Sequence, residues 1–394
     1  MKIDFLAQAE ALRDDLIAWR RDFHRHPELA FEEVRTAGIV AHELSQLGLE
    51  VQTGVGQTGV VAILEGGHPE GPTILVRADM DALPIHEENQ TEYTSEVAGK
   101  MHACGHDGHT AIALGVARLL AENRNMLKGR VKFVFQPAEE IGQGARAMAR
   151  DGVLESPRPD FTLGLHLWNN MPLGTLGVAE GYVMAGCADF TVTIKGKGGH
   201  GAVPNLAIDP VVCAAHITTA FQSIISRNLS PTETGVISVT QIHAGTASNV
   251  IPESAMMNGT IRFFSDEVKD LLDKRMHEVV AGVGSALGCE VSLTIRYLTE
   301  PVYNNPQVTE RVRATFARLG QGEDKWRYER TMGAEDVGVF MQDVPGMYFF
   351  LGSANAERGL HYPHHHPRFD FDEASLPLGV ALLSAAVADY LTGD

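Results

Sequence analysis

Phe5, Ala9, Leu12, Leu16, Trp19 and Phe23 recur every three to four positions, the spacing that lines one face of an α-helix. One helix is therefore expected over 4–26, closed by Pro27. A second is expected over 34–47, stopping at Gly48. Short apolar, β-rich runs follow at 59–64 (GVVAIL), 73–78 (TILVRA), 131–136 (VKFVFQ) and 161–166 (FTLGLH), with helical stretches at 108–122 and 142–150. Strands alternating with helices imply a mostly parallel sheet covered by helices.

After GTLGVAEGYVMAG the pattern changes. It reads strand 189–196, helix 209–225, strands 236–244 and 255–264, helix 266–287 and strand 290–298. The order β-α-β-β-α-β is a complete ferredoxin-like unit. Helix 307–319, strand 347–352 and helix 373–391 then resume the earlier pattern. The expectation is an α/β domain of residues 1–182 and 299–394, interrupted by a smaller α+β domain over 183–298.

Composition narrows the function. The chain has 394 residues, 44% hydrophobic and 21% charged, as in an ordinary multi-domain enzyme. Lys and Arg minus Asp and Glu gives 32 − 50 = −18, a balance that disfavours tracking of nucleic-acid phosphates. No window reaches the roughly 18 apolar residues of a membrane span, and the N-terminus has no signal-peptide pattern. Cys104, Cys187, Cys213 and Cys289 show no C-x-x-C spacing, so a reduced, cytoplasmic protein is expected.

Functional groups of open α/β sheets gather at the carboxyl ends of strands. Asp79 and Asp81 follow TILVRA, Glu139 and Glu140 follow VKFVFQPA, and His166 ends FTLGLH. His361, His364, His365 and His366 follow MYFFLG, and MHACGHDGHT sets Cys104 and His106 two apart before a helix. Thiolate, imidazole and carboxylate together suit zinc and accept manganese, cobalt or nickel, whereas calcium and magnesium favour oxygen alone. Each residue alone has an ordinary structural explanation; their coincidence at one sheet edge carries the inference. Gly196, Gly198 and Gly201 fit G-x-G-x-x-G after a strand, but Pro204 follows and the next helix starts only near Asp209. A dinucleotide site is therefore disfavoured.

This combination resembles the aminoacylase and glutamate-carboxypeptidase type of two-metal amidases, in the branch of hippurate hydrolase, N-acyl-L-amino-acid amidohydrolases and plant indole-acetyl-amino-acid hydrolases. The matching segments are RRDFHRHPELAFEE (20–33), RADMDALP (77–84), MHACGHDGHT (101–110), FQPAEE (135–140), GLHLW (164–168), GKGGHGAVP (196–204), SNVIPE (248–253), GTIRFF (259–264), GAED (333–336) and HHPRFDFDE (365–373). Other branches carry H-x-D where this chain has Arg77, Ala78 and Asp79, so their ligands do not transfer.

The resemblance implies a zinc-exopeptidase-like α/β catalytic domain with a mixed, mostly parallel sheet, and an inserted ferredoxin-like lid and dimerisation domain. It implies two divalent transition-metal ions per chain, held by Cys104, His106, Glu140, His166 and His365, with Cys104 bridging. His365 is chosen over its neighbours by the pattern H-x-P followed by aspartate, met by His365, Pro367 and Asp370. Glu139 falls on the general base, and His200 on a lid histidine that reaches the scissile carbonyl, often from the other subunit. Asn249 and Arg262 are candidate contacts for the substrate carboxylate or the lid. The implied reaction is hydrolysis of a small N-acyl-L-amino acid by a metal-activated water, in a homodimer or homotetramer. The competing readings are a metallo-carboxypeptidase or an N-acetyl-diaminopimelate deacetylase on the same scaffold.

Overall fold

The structure is a computed structural model describing residues 3–392. The chain divides into two compact units, one of Met1–Val183, Val302–Arg330 and Asp336–Asp394, the other of Met184–Pro301 and Thr331–Glu335.

The larger unit is built on an eight-stranded mixed sheet. Four central strands, Lys128–Gln136, His68–Asp79, Phe161–Pro172 and Gly346–Ala354, are parallel in that order. Antiparallel Gly59–Glu65 and Glu50–Val55 extend one side, and short Leu176–Gly177 and Trp326–Arg327 the other. Residues 131–136 are buried without interruption, as expected for a parallel strand covered on both faces. Helix Ser375–Leu391 is buried along almost its whole length, which fits its lack of a polar stripe. It packs against helices Arg13–Arg25 and His106–Glu122.

Two local expectations need correction, and one strand went unread. The N-terminal helix is two helices, Phe5–Ala11 and Arg13–Arg25. Leu12 closes the first with a bond from its N–H to the Ala9 carbonyl, and its own carbonyl receives Leu16 N–H to open the second. The apolar row Ala9, Leu12, Leu16 stays buried through the break, which is why periodicity did not reveal it. His166 does not end its strand, which runs on to Pro172. Edge strand Glu50–Val55 lacked a signal because most of its residues are exposed.

The smaller unit has a four-stranded antiparallel sheet in the order Gly235–Ala244, Ser254–Phe263, Gly186–Lys195, Glu290–Thr299. This is the ferredoxin-like order. Alternate residues of Ser254–Phe263 are buried, and Phe190, Met257, Ile261 and Phe263 share a core with Phe221 and Leu272 from helices Pro210–Ser223 and Asp266–Leu287. The second helix is bounded as its sequence dictates. Ser265 accepts the Val268 N–H, Asp266 and Glu267 occupy the first turn, and Gly288 takes the left-handed conformation at the end. The glycine pattern at 196–201 also has a packing reason: a Cβ on Gly196 would lie 2.2 Å from the Ile208 carbonyl oxygen. Among the described residues no helix is long and apolar enough to cross a membrane.

Candidate metal centre

Strand register assembles the site. Asp79 pairs with Gln136, and Arg77 pairs with Gly164 two residues before His166. The turn 137–140 and residues Asp79, Met80 and Asp81 therefore emerge beside His166. On its other side His166 pairs with Phe350 of the strand whose following loop carries His364, His365 and His366. That loop is tied to the cysteine loop by the His365 N–H, which donates to the Ala103 carbonyl at 2.8 Å, with His365 at φ 65°.

Cys104 Sγ lies 3.6 Å from His166 Nε2. His166 Nδ1 faces the Leu167 carbonyl at 2.7 Å and His106 Nδ1 the Asp81 carbonyl at 2.9 Å. In each ring Nδ1 faces a carbonyl acceptor, which turns Nε2 toward the cluster. His106 Nε2 is buried and has no hydrogen-bond partner; it stands 3.7 Å from Asp79 and 3.9 Å from both Glu139 and Glu140. His365 Nε2 is 3.4 Å from Glu140 Oε2. Cys104, His106 and His166 form one cluster of potential metal donors, Cys104, Glu140 and His365 a second, and His106, Glu139 and Glu140 a third. The orphaned imidazole nitrogen and the mixed sulfur, nitrogen and oxygen donor set fit transition-metal ions.

Three of the neighbouring histidines are otherwise engaged. His109 spans Asp79 Oδ1 at 2.7 Å and the Leu167 N–H at 2.9 Å. His364 stacks on Trp168 and accepts the Asn169 N–H at 3.1 Å. His366 stacks on Tyr362 and accepts the Arg368 N–H at 3.0 Å.

Burial, reinforced by the Glu140 charge, pushes the Cys104 thiol well above its usual range. Burial and His109 hold His166 well below its usual range. Burial works against the charge of Asp79, but His106, Arg77 and His109 outweigh it and hold its carboxyl well below the ordinary range.

Several residues of the site had gone without a role in the sequence reading. Arg77 binds Asp79 at 2.7 Å, Gln136 at 2.9 Å and Asp336 at 3.2 Å, all buried. Arg20, from the N-terminal segment, reaches Asp107 at 2.9 Å and Asp370 at 2.6 Å. Asp81 and Glu33 grip the turn that carries the paired glutamates. A buried charge that must find a partner is the physical signal for all of these, but the partner's identity is a tertiary fact.

In the smaller unit, His200 and Asn249 are neighbours. His200 pairs with Val250, and Gly201 N–H donates to the Asn249 carbonyl at 2.8 Å. Arg262 is not with them. It pairs with Cys187 at the opposite end of the strand whose first residue, Ser254, pairs with Lys195, about 27 Å away at the usual rise per residue. It cannot share one substrate contact with Asn249 inside this unit.

Residues 75–389 match Peptidase family M20/M25/M40. The chain belongs to that family. This M20-family protein is a hydrolase acting on amide bonds. It is 40% identical to thermostable carboxypeptidase 2 of Saccharolobus solfataricus, covering 96% of this chain and 95% of the relative. It is 39% identical to N-acetylcysteine deacetylase of Bacillus subtilis, covering 93% and 94%. Its fold matches a dinuclear metal-binding M20 peptidase of Bacillus subtilis with a TM-score of 0.84 and 35% identity, covering 96% of this chain and 98% of that one.

Proposed function

We propose that this M20-family hydrolase cleaves the amide bond of small N-acyl-L-amino acids at a two-metal centre. The observation that carries the reading is the convergence of Cys104, His106, Glu140, His166 and His365 from four separate segments of the chain, with Glu139 beside them. Cys104, His106, Glu140, His166 and His365 would hold two divalent ions, zinc or alternatively manganese, cobalt or nickel. Such ions, when bound, lower the pKa of a coordinated water to about 7 and polarise a carbonyl.

This chain's residues do the rest. Glu139, whose carboxylate is 3.9 Å from His106 Nε2, takes the proton of the attacking water and delivers it to the leaving nitrogen. The Leu167 and Asp81 carbonyls hold His166 and His106 in the tautomers that present Nε2. His200 donates to the developing oxyanion, and Asn249 next to it contacts the substrate. Arg262, if it touches substrate, does so at a separate point. A homo-oligomer and a cytoplasmic setting belong to the same reading, the latter supported by four unpaired, buried cysteines.

A second reading, removal of a C-terminal residue from a peptide, is favoured by the similarity to a protein named carboxypeptidase. Both reactions split an amide whose amine side carries a free carboxylate. Metal analysis combined with hydrolysis of N-acetyl and N-benzoyl amino acids and of dipeptides, with and without chelator, separates them. The proposal expects chelator-sensitive release from N-acyl amino acids and a Glu139→Gln variant that keeps its metal but loses turnover. Preference for dipeptides would favour the second reading. Glu139→Gln with normal turnover would remove Glu139 as the base.

A further inference from the structure

Glu139 and Glu140 are adjacent in sequence yet carry different tasks in the proposed reaction, so the backbone between them must be held in one conformation. Three successive amides do this. The Ala138 N–H donates to Glu33 Oε1 at 2.9 Å, the Glu139 N–H to Asp81 Oδ1 at 3.0 Å and the Glu140 N–H to Asp81 Oδ2 at 3.0 Å. Ala138 has φ 54°, a left-handed conformation that a non-glycine residue adopts only when its surroundings impose it. Consecutive N–H groups in such a turn form a concavity for an anion. Here two buried carboxylates of the chain itself fill it; Asp81 is 1% and Glu33 0% exposed. Glu33 is held in turn by the Phe31 N–H at 3.0 Å and the Thr58 hydroxyl. The main chain of Asp81 serves the same centre, since its carbonyl accepts from His106 Nδ1 at 2.9 Å.

We propose that Asp81 is a positioning residue for the reaction: one side chain fixes the backbone of the general base and of a metal ligand, while its carbonyl orients a second ligand. Each Asp81 oxygen has one amide to satisfy, so both bonds are met only by a symmetric acceptor. This inference rests on the roles proposed for Glu139 and Glu140.

Asp81→Asn tests it with almost no change of shape, because its NH2 must face one of the two N–H donors. Cobalt titration of the metal-stripped protein, followed by the visible bands of the bound ion, reads the ligand geometry independently of turnover. The expected result is cobalt binding weaker by about 10–100-fold and kcat lower by a similar factor, with KM within about twofold. A folded Asp81→Asn protein with wild-type cobalt binding, cobalt spectrum and kcat would overturn the proposal. If Glu139→Gln stays active while Asp81→Asn loses cobalt affinity, the base assignment fails and the positioning role stands. The opposite pair of results fails the positioning role alone. Should Asp81→Asn not fold, Glu33→Ala frees the same turn at Ala138. It is expected to lower kcat about tenfold or more, and wild-type kcat with the wild-type cobalt spectrum would refute the idea.

Discussion

Replacing Arg20 by Met should weaken the larger unit severely and in a pH-dependent way. The guanidinium is fully buried and reaches Asp107 at 2.9 Å, Asp370 at 2.6 Å and Glu373 at 3.2 Å. Without it Glu373 still has Arg21 at 2.8 Å, and Asp107 still has His24 Nδ1 at 2.7 Å. Asp370 is left with neutral donors, the Tyr93 hydroxyl at 2.7 Å and the Phe371 N–H at 2.9 Å. Stranding one buried charge costs about 3–5 kcal/mol. His24 sets the pH dependence. Burial and the Arg20 charge both work against its protonation, but Asp107 and Glu87 prevail and push it up to about 9. Its folded pKa therefore exceeds its unfolded value of 6.5. The stabilisation from its charge is complete below pH 6.5 and is lost as pH rises through 9, a change of about 3 kcal/mol for this fully buried group. Removing the Arg20 charge lets His24 hold its proton more tightly, so in Arg20→Met the decline extends above pH 9. Trp19, Trp168 and Trp326 are the chain's three tryptophans and all lie in the larger unit. Urea unfolding followed by tryptophan fluorescence in the presence of chelator therefore reports that unit without linkage to metal. A midpoint lower by about 1–3 M is expected at pH 7. A loss below about 1 kcal/mol, or identical pH profiles for the two proteins, would refute the reasoning.

Two further substitutions probe the same architecture. A Cβ on Gly144 would lie 1.6 Å from the Pro137 carbonyl oxygen, so Gly144→Ala must displace the turn bearing Glu139 and Glu140. Turnover should fall about a hundredfold, as for a 1 Å misplacement of reacting groups, and steady-state kinetics with near-normal kcat would show that the turn absorbs the shift. Lys132 donates from its buried Nζ to the carbonyls of Val153, Glu155 and Pro157 at 2.8, 2.5 and 2.7 Å. Lys132→Met strands three acceptors at a cost of about 3 kcal/mol or more, and calorimetry should show Tm lower by roughly 6–12 °C; an unchanged Tm would mean that water replaces the ammonium.

Much of this fold was legible because burial imposes a period. The run VKFVFQ reads as a strand covered on both faces, and helix 266–287 is marked at both ends by Ser265 and Gly288. The break at Leu12 was not legible, since the residues on either side keep the same apolar face. For the site, Glu140 and His166 stand out because each follows or ends an apolar strand, Cys104 because it sits two residues from His106 before a helix, and His365 only through the resemblance, since spacing leaves the histidines of the loop after MYFFLG equivalent. Asp81 is legible by its place after a strand but not by its task, and Glu33 and Arg20 escape such reading. Their partners are main-chain amides of the turn or carboxylates more than 80 positions away, and nothing in local spacing announces them. The separation of Arg262 from His200 and Asn249 likewise depends on strand register.

The parallel pairing of Phe161–Pro172 with Gly346–Ala354 has a consequence for the order in which the protein matures during translation. The two strands are separated by 346 − 172 = 174 positions, so at roughly 5–20 residues per second the first waits about 9–35 s on the ribosome for its partner. In that interval the whole Met184–Pro301 segment, with its own core, is synthesised and can fold. A nascent chain displays Cys104, His106, Glu140 and His166 long before His365 leaves the exit tunnel. Until Gly346–Ala354 is made, the growing polypeptide exposes an unpaired, apolar strand edge.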